Sequence, residues 1–254
     1  MNPSSLHNAA FKKHEEHTSA WLLQAPEWSN WLNREKLQKF LWIHGIPGSG
    51  KTVLASFIIE QLKALCSRDS ELGRVYYYCH YSHNHDEGAS FLRWTIGQLC
   101  RHAKWIPAQL KELHDHGCEP SIPELENALE AVLEKFKMTY VVIDAVDEST
   151  PRDDLLAVIA TIAVDKRFRN IKVLATSREY FDIEKIFSGI SEVISMSNPL
   201  VERDIRLFVH SRLLSSPRIR RFQHLLNHIE DVLITGAQGM YSGLVSCGSP
   251  FNLS

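Results

Sequence analysis

The chain has 254 residues, 44% of them hydrophobic and 23% charged, with 28 Lys and Arg against 30 Asp and Glu for a formal net charge of −2. That length suits one packed α/β domain with a helical appendage, and that composition excludes a disordered or fibrous chain. The near-neutral charge argues against a surface built mainly for nucleic acid or an anionic membrane.

In chain order, residues 1–17 are polar and His-rich without periodicity and read as a flexible leader. Over 18–38, Trp21, Leu22, Leu23, Trp28, Trp31 and Leu32 predict two short helices broken at Pro26, their tryptophans turned into a core rather than onto a ligand. A core then spans 39–200. Phe40 to His44 is a short apolar strand, and a glycine-rich turn separates it from helical Thr52 to Cys66. Val75 to Cys79 reads as a strand, Ser90 to Ala103 and Ile122 to Phe136 as helices, and Tyr140 to Asp144 as a buried strand. Arg152 to Val164 predicts a helix, Ile171 to Ala175 a strand, Glu192 to Met196 a fifth strand, and Val201 to Leu214 a helix. Apolar strands alternating with helices indicate a parallel sheet covered on both faces. Over 201–240 a helical segment ends with Ile219 to Ile234, and 241–254 is an irregular tail. Arg218, Arg220 and Arg221 suit a solvated helix face, so nucleic acid is not an expected partner.

Five cysteines, none in a CxxC pair, fit free thiols in a reducing compartment, and a cytoplasmic location is expected. Residues 1–30 have no apolar stretch of signal-peptide type, and the longest aliphatic run, Leu155 to Val164, is ten residues, about half a membrane span.

The turn Gly45-Ile46-Pro47-Gly48-Ser49-Gly50-Lys51-Thr52 fills every fixed position of GxxxxGK[ST], between a strand and a helix. Chance produces this pattern in about one chain per hundred of this length. Glycines let consecutive N–H groups face a phosphate, the helix N-terminus adds positive potential, Lys51 neutralises the β and γ phosphates, and Thr52 offers a hydroxyl to Mg²⁺.

Such a loop needs a second strand that delivers a carboxylate to the metal, and Asp144 ends the Tyr140 to Ile143 run. Asp147 and Glu148 follow one turn later. Glu148 is the candidate base and Asp147 a second metal-side carboxylate, the alternative being helix capping by Asp147, Glu148 or Ser149 before Pro151. Arg178, after the next strand, either senses a γ-phosphate or forms a structural salt bridge.

Together with Trp21-Leu22-Leu23 and Trp42-Ile43-His44-Gly45, these segments resemble the NACHT-type P-loop domain of STAND proteins, nearest to the nephrocystin-type N-terminal domain of fungal NACHT and ankyrin proteins. That resemblance implies a three-layer α/β/α sandwich with a mainly parallel five-stranded sheet in the order 5-1-4-3-2, plus N-terminal and C-terminal helices. It implies a signalling switch that binds ATP or ADP with Mg²⁺, hydrolyses ATP slowly and couples this to oligomerisation, in innate immunity or fungal heterokaryon incompatibility. Lys51 and Thr52 carry over as Walker A, Asp144 and Asp147 as Walker B, and Arg178 as sensor. Implied partners are further copies of the chain, effectors or repeat proteins. No NKxD pattern is present, which favours ATP over GTP, and the Gly/Ser-rich tail suggests a truncated product. Two other readings stand beside the switch: a metabolic P-loop kinase, and a degenerate interaction domain with the same fold. His80, His83 and His85 cluster without a cysteine at ligand spacing, which favours solvated loop histidines over a zinc site.

Overall fold

The structure, a computed structural model, describes residues 3–16, 18–36, 38–115, 117–215 and 230–233. Strands β1 (Phe40–His44), β2 (Leu72–Tyr78), β3 (Met138–Asp144), β4 (Ile171–Ser177) and β5 (Glu192–Ser195) form one sheet in the order β2-β3-β4-β1-β5, with every pairing parallel. This is the expected order, read from the opposite edge. All three central strands are buried at every position, because side chains alternate between two covered faces.

The helices divide between those faces. On one side Phe40, Trp42, Val141, Ile143, Val173 and Ala175 pack with α4 (Gly88–Ala103), α6 (Ile122–Leu133), α7 (Asp153–Val164) and α8 (Phe181–Phe187). On the other, Leu41, Ile43, Tyr140, Val142 and Leu174 pack with α2 (Pro26–Leu32), α3 (Lys51–Cys66) and α9 (Pro199–Ser215). Local sequence sets the helix starts. Ser121 and Glu124 form a capping box at α6, and the Asp86 carboxylate accepts the N–H of Gly88 at α4 and those of Asp154 and Leu155 at α7. Since Asp86 takes that role, neither Asp147 nor Glu148 caps α7.

The tryptophans of 18–38 are core residues. Trp31 is fully buried and donates its indole N–H to the Val173 carbonyl at 2.8 Å, and Trp28 lies against it. Three features depart from the sequence reading. The leader contains α1 (Ser4–Phe11), on which His7 is buried and hydrogen-bonded to Glu60 at 2.7 Å and to the Tyr78 hydroxyl at 3.2 Å. Two helices also appear where none is predicted, α5 (Ala108–Asp115) and α8. The helix expected over Ile219 to Ile234 lies outside the described residues except for 230–233, and the tail lies wholly outside them.

At the edge of the sheet where the strands begin, Lys172 is 1% exposed and donates to the carbonyls of Asn33 at 2.6 Å, Gln38 at 2.9 Å and Lys36 at 3.3 Å. Burial pulls its ammonium down to about 8. The Lys172→Met chain fills the same volume but takes the ammonium away from those carbonyls, of which that of Asn33 keeps the Lys36 N–H at 3.3 Å. It should lose roughly 2 kcal/mol of stability in urea unfolding; wild-type stability would show that Lys172 does not hold the 33–38 segment.

Candidate functional site

Because all the strands run the same way, their C-terminal ends share one edge, which brings together segments far apart in sequence. The loop 45–50 follows β1 and leads into α3. At Gly45 an added Cβ would lie 2.6 Å from the Met196 Cβ, so only glycine lets the loop pass the β5 exit. Gly48 and Gly50 have φ of 75° and 89°, the left-handed region that favours glycine. Ser49 is buried, and the Lys51 ammonium folds back to the carbonyls of Gly45 at 2.7 Å and Ile46 at 2.9 Å. Burial pulls Lys51 below its ordinary range, and the charges of Asp147 and Asp144 oppose that shift. The first turn of α3 carries no acidic side chain to occupy its N–H groups.

Asp144, at the end of β3, is 1% exposed. One of its oxygens accepts the Thr176 hydroxyl at 2.6 Å, and the nearby Thr52 hydroxyl also favours its charged form. Burial pushes its carboxyl up to about 6, against the pull of these two hydroxyls. Thr176 also accepts the Ala145 N–H at 3.0 Å, which fixes the turn after the strand, where Ala145 is left-handed at φ 58°. Thr176 is a site residue that the sequence reading passed over; its signal was a hydroxyl one position before the end of a strand that neighbours β3.

Asp147 and Arg178 are found on each other. The Asp147 carboxylate accepts the Arg178 backbone N–H at 3.0 Å and pairs with its guanidinium Nε at 3.2 Å. Asp147 is nearly buried in this pair, whereas Arg178 remains 41% exposed, so of its two readings the structure displays the salt bridge. Glu148 is half-buried. Burial pushes its carboxyl up and Asp147 adds to this, while His80, the Tyr81 N–H and Arg178 pull it down. Pro47, in the loop, is exposed.

The three histidines hold protein partners: His80 Nδ1 bonds Ser82, His83 Nδ1 the Glu87 carboxylate and His85 Nδ1 the His83 carbonyl. Among the described residues no three His, Cys, Asp or Glu side chains group as a metal site. The oxygen pair of Thr52 and Asp144 does fit Mg²⁺, a hard cation that takes few protein oxygens and completes its shell with water and phosphate. A divalent cation held there would also supply the positive charge that the buried Asp144 lacks.

Residues 17–178 match the family described as Nephrocystin 3, N-terminal. Over 238 residues the chain is 25% identical to "Vegetative incompatibility protein HET-E-1" of Podospora anserina, an alignment that covers 87% of this chain and 17% of that protein. The chain therefore spans about a sixth of that relative's length. Among solved structures, "Structure of Drosophila ORC bound to DNA" superposes with a TM-score of 0.52 at 12% identity, covering 92% of this chain and 62% of that one; the likeness is one of fold. Among the described residues no helix is long and apolar enough to cross a membrane.

The buried carboxyl has a consequence for pH. Folded Asp144 holds its proton up to about 6, whereas in the unfolded chain it is released near 4. The stability due to that proton is therefore complete below about pH 4 and is lost as pH rises through 6. Without divalent cations, Asp144→Asn should match wild type in denaturant unfolding at low pH and exceed it by roughly 3 kcal/mol at pH 7.5, at ~1.4 kcal/mol for each pH unit. Parallel stability curves for the two proteins would contradict this placement of the carboxylate.

Proposed function

Since the chain belongs to the Nephrocystin 3 N-terminal family and carries a NACHT-type P-loop NTPase fold, we propose that it binds ATP with Mg²⁺ and hydrolyses it slowly as the switch module of a STAND-type signalling protein. One observation carries this reading: the loop Gly45 to Thr52, closed on glycines at the open N-terminus of α3, shares the strand-end edge with the buried Asp144, whose charged form the Thr52 hydroxyl favours. Loop and helix N–H groups cradle phosphate oxygens, and Lys51 exchanges the Gly45 and Ile46 carbonyls for those of the β and γ phosphates. When bound, Mg²⁺ neutralises charge between the phosphates. Thr52 and Asp144 hold and orient that cation.

Glu148 takes the proton of the attacking water. Its raised carboxyl makes it a better base than an exposed glutamate. Arg178 reaches the γ-phosphate by trading the Asp147 carboxylate for phosphate oxygens, so nucleotide state is passed to the 144–149 turn and the end of β4. A switch of this kind acts through other copies of the chain or through effector and repeat proteins. A role in fungal incompatibility is supported by the likeness to HET-E-1.

A saturating ligand stabilises the chain by about 2.7 kcal/mol at a hundredfold excess over its Kd. Mg-ATP should raise the melting temperature of wild type by several degrees and leave Lys51→Ala unmoved; no shift in either protein refutes nucleotide binding. Glu148→Gln should lower turnover at least a hundredfold while its Mg-ATP Kd stays within about twofold. Wild-type turnover in that variant removes Glu148 from the base role.

A further inference from the structure

We infer that Tyr180 is a positioning residue for Arg178: its hydroxyl is the second half of a resting seat that keeps the guanidinium on Asp147 until a γ-phosphate takes it. This rests on the reading of Arg178 as the residue that reaches that phosphate. Arg178 follows β4 directly, and with its side chain 41% exposed, packing alone does not fix it. A long guanidinium side chain in that position samples many rotamers unless hydrogen bonds hold it. Two groups do so here. Asp147 pairs with Nε at 3.2 Å, and the Tyr180 hydroxyl accepts from Nη1 at 3.3 Å.

The backbone brings the two side chains together. Tyr180 donates its N–H to the Arg178 carbonyl at 3.1 Å, a reversal over three residues that sets side chains 178 and 180 beside each other. The Tyr180 carbonyl accepts the Glu184 N–H at 2.9 Å, which anchors the residue at the start of α8. Its ring rests on a second arginine: the Arg152 guanidinium carbon lies over it, 5.2 Å from the centroid. Arg152 is itself fixed, by two hydrogen bonds to the Asp182 carboxylate at 2.6 and 3.1 Å and one to the Asp147 carbonyl at 3.0 Å. Tyr180 therefore presents its hydroxyl from a fixed base. Both ends of this network close on Asp147, Arg178 at the carboxylate and Arg152 at the carbonyl.

The seat has a cost that only a triphosphate meets. To rest on a γ-phosphate, Arg178 gives up both the Asp147 carboxylate and the Tyr180 hydroxyl. A diphosphate, lacking that group, makes no such demand. The seat therefore weakens ATP binding and leaves ADP binding alone, so Tyr180 sets how strongly the site prefers the triphosphate. Water screens a hydrogen bond from a half-exposed cation, so the share of the hydroxyl is a severalfold change in affinity rather than orders of magnitude. A purely structural role would change folding stability and would not separate the two nucleotides.

The test compares wild type, Tyr180→Phe and Arg178→Ala by calorimetric titration of Mg-ADP and of the Mg complex of the β,γ-imido analogue of ATP. A second readout is hydrogen exchange at the Arg178 Nε–H in the nucleotide-free chain. Tyr180→Phe keeps the ring over Arg152 and removes only the oxygen of a side chain outside the core. It should bind the ATP analogue about fivefold more tightly, bind ADP within about twofold of wild type, and exchange the Arg178 Nε–H faster. Arg178→Ala should lose most of the preference for the triphosphate. Unchanged or weaker binding of the ATP analogue by Tyr180→Phe, an equal gain for both nucleotides, or wild-type Nε–H exchange overturns the seat. An unchanged ratio of the two affinities in Arg178→Ala overturns instead the placement of Arg178 on the γ-phosphate. The two failures are separable because Nε–H exchange reads the contact with no nucleotide present.

Discussion

A carboxylate with almost no access to water, at the end of the interior strand β3, governs the arrangement of this molecule. Asp144 has hydroxyls near it, from Thr176 and Thr52, and the ammonium of Lys51 is turned toward the loop carbonyls. Hydroxyl hydrogen bonds offset only part of the cost of burying a negative charge, and the carboxyl rises accordingly. The site is thus built short of positive charge at one point, and a bound cation held by Thr52 and Asp144, as proposed above, would supply it. The glycine-bound loop, the direction of every strand and the burial of both sheet faces together set that point on the exposed edge.

Around this carboxylate, polar contacts link neighbouring strand ends so that one cannot shift alone. The Trp42 indole N–H donates to the Ser177 hydroxyl at 2.8 Å, which donates to the Arg178 carbonyl at 2.8 Å. Arg178 in turn rests on Asp147, and Arg152 donates to the Asp147 carbonyl at 3.0 Å while pairing with Asp182 on α8. The β1 exit is joined to the same segment by the close approach of His44 to Glu179 at 3.3 Å.

How much of this could be read beforehand depended on the range of the forces involved. Strand interiors announced themselves as unbroken apolar runs such as Tyr140 to Ile143, and the loop by its glycines, since both are local properties of the chain. The helix α1 gave no such sign: its buried His7 is held by Glu60 and Tyr78, residues remote in sequence, and no apolar stripe marks it. For α5, which fully buries no residue, Leu110 and Leu113 alone pack against the core, too few to mark a helix. Asp144 and Glu148 were legible as an acidic strand end, but the Asp147–Arg178 pair and the Thr176 hydroxyl on Asp144 depend on contacts across strands. Such contacts leave no spacing to recognise.

The most direct measurement is calorimetric titration of ATP into wild type and Asp144→Asn, each with and without Mg²⁺. If the buried carboxylate and Thr52 together hold the cation, Mg²⁺ tightens ATP binding about tenfold or more in wild type and has little effect in the variant. Equal affinities in all four titrations would contradict the assignment of this strand end as the metal-bearing half of a nucleotide site.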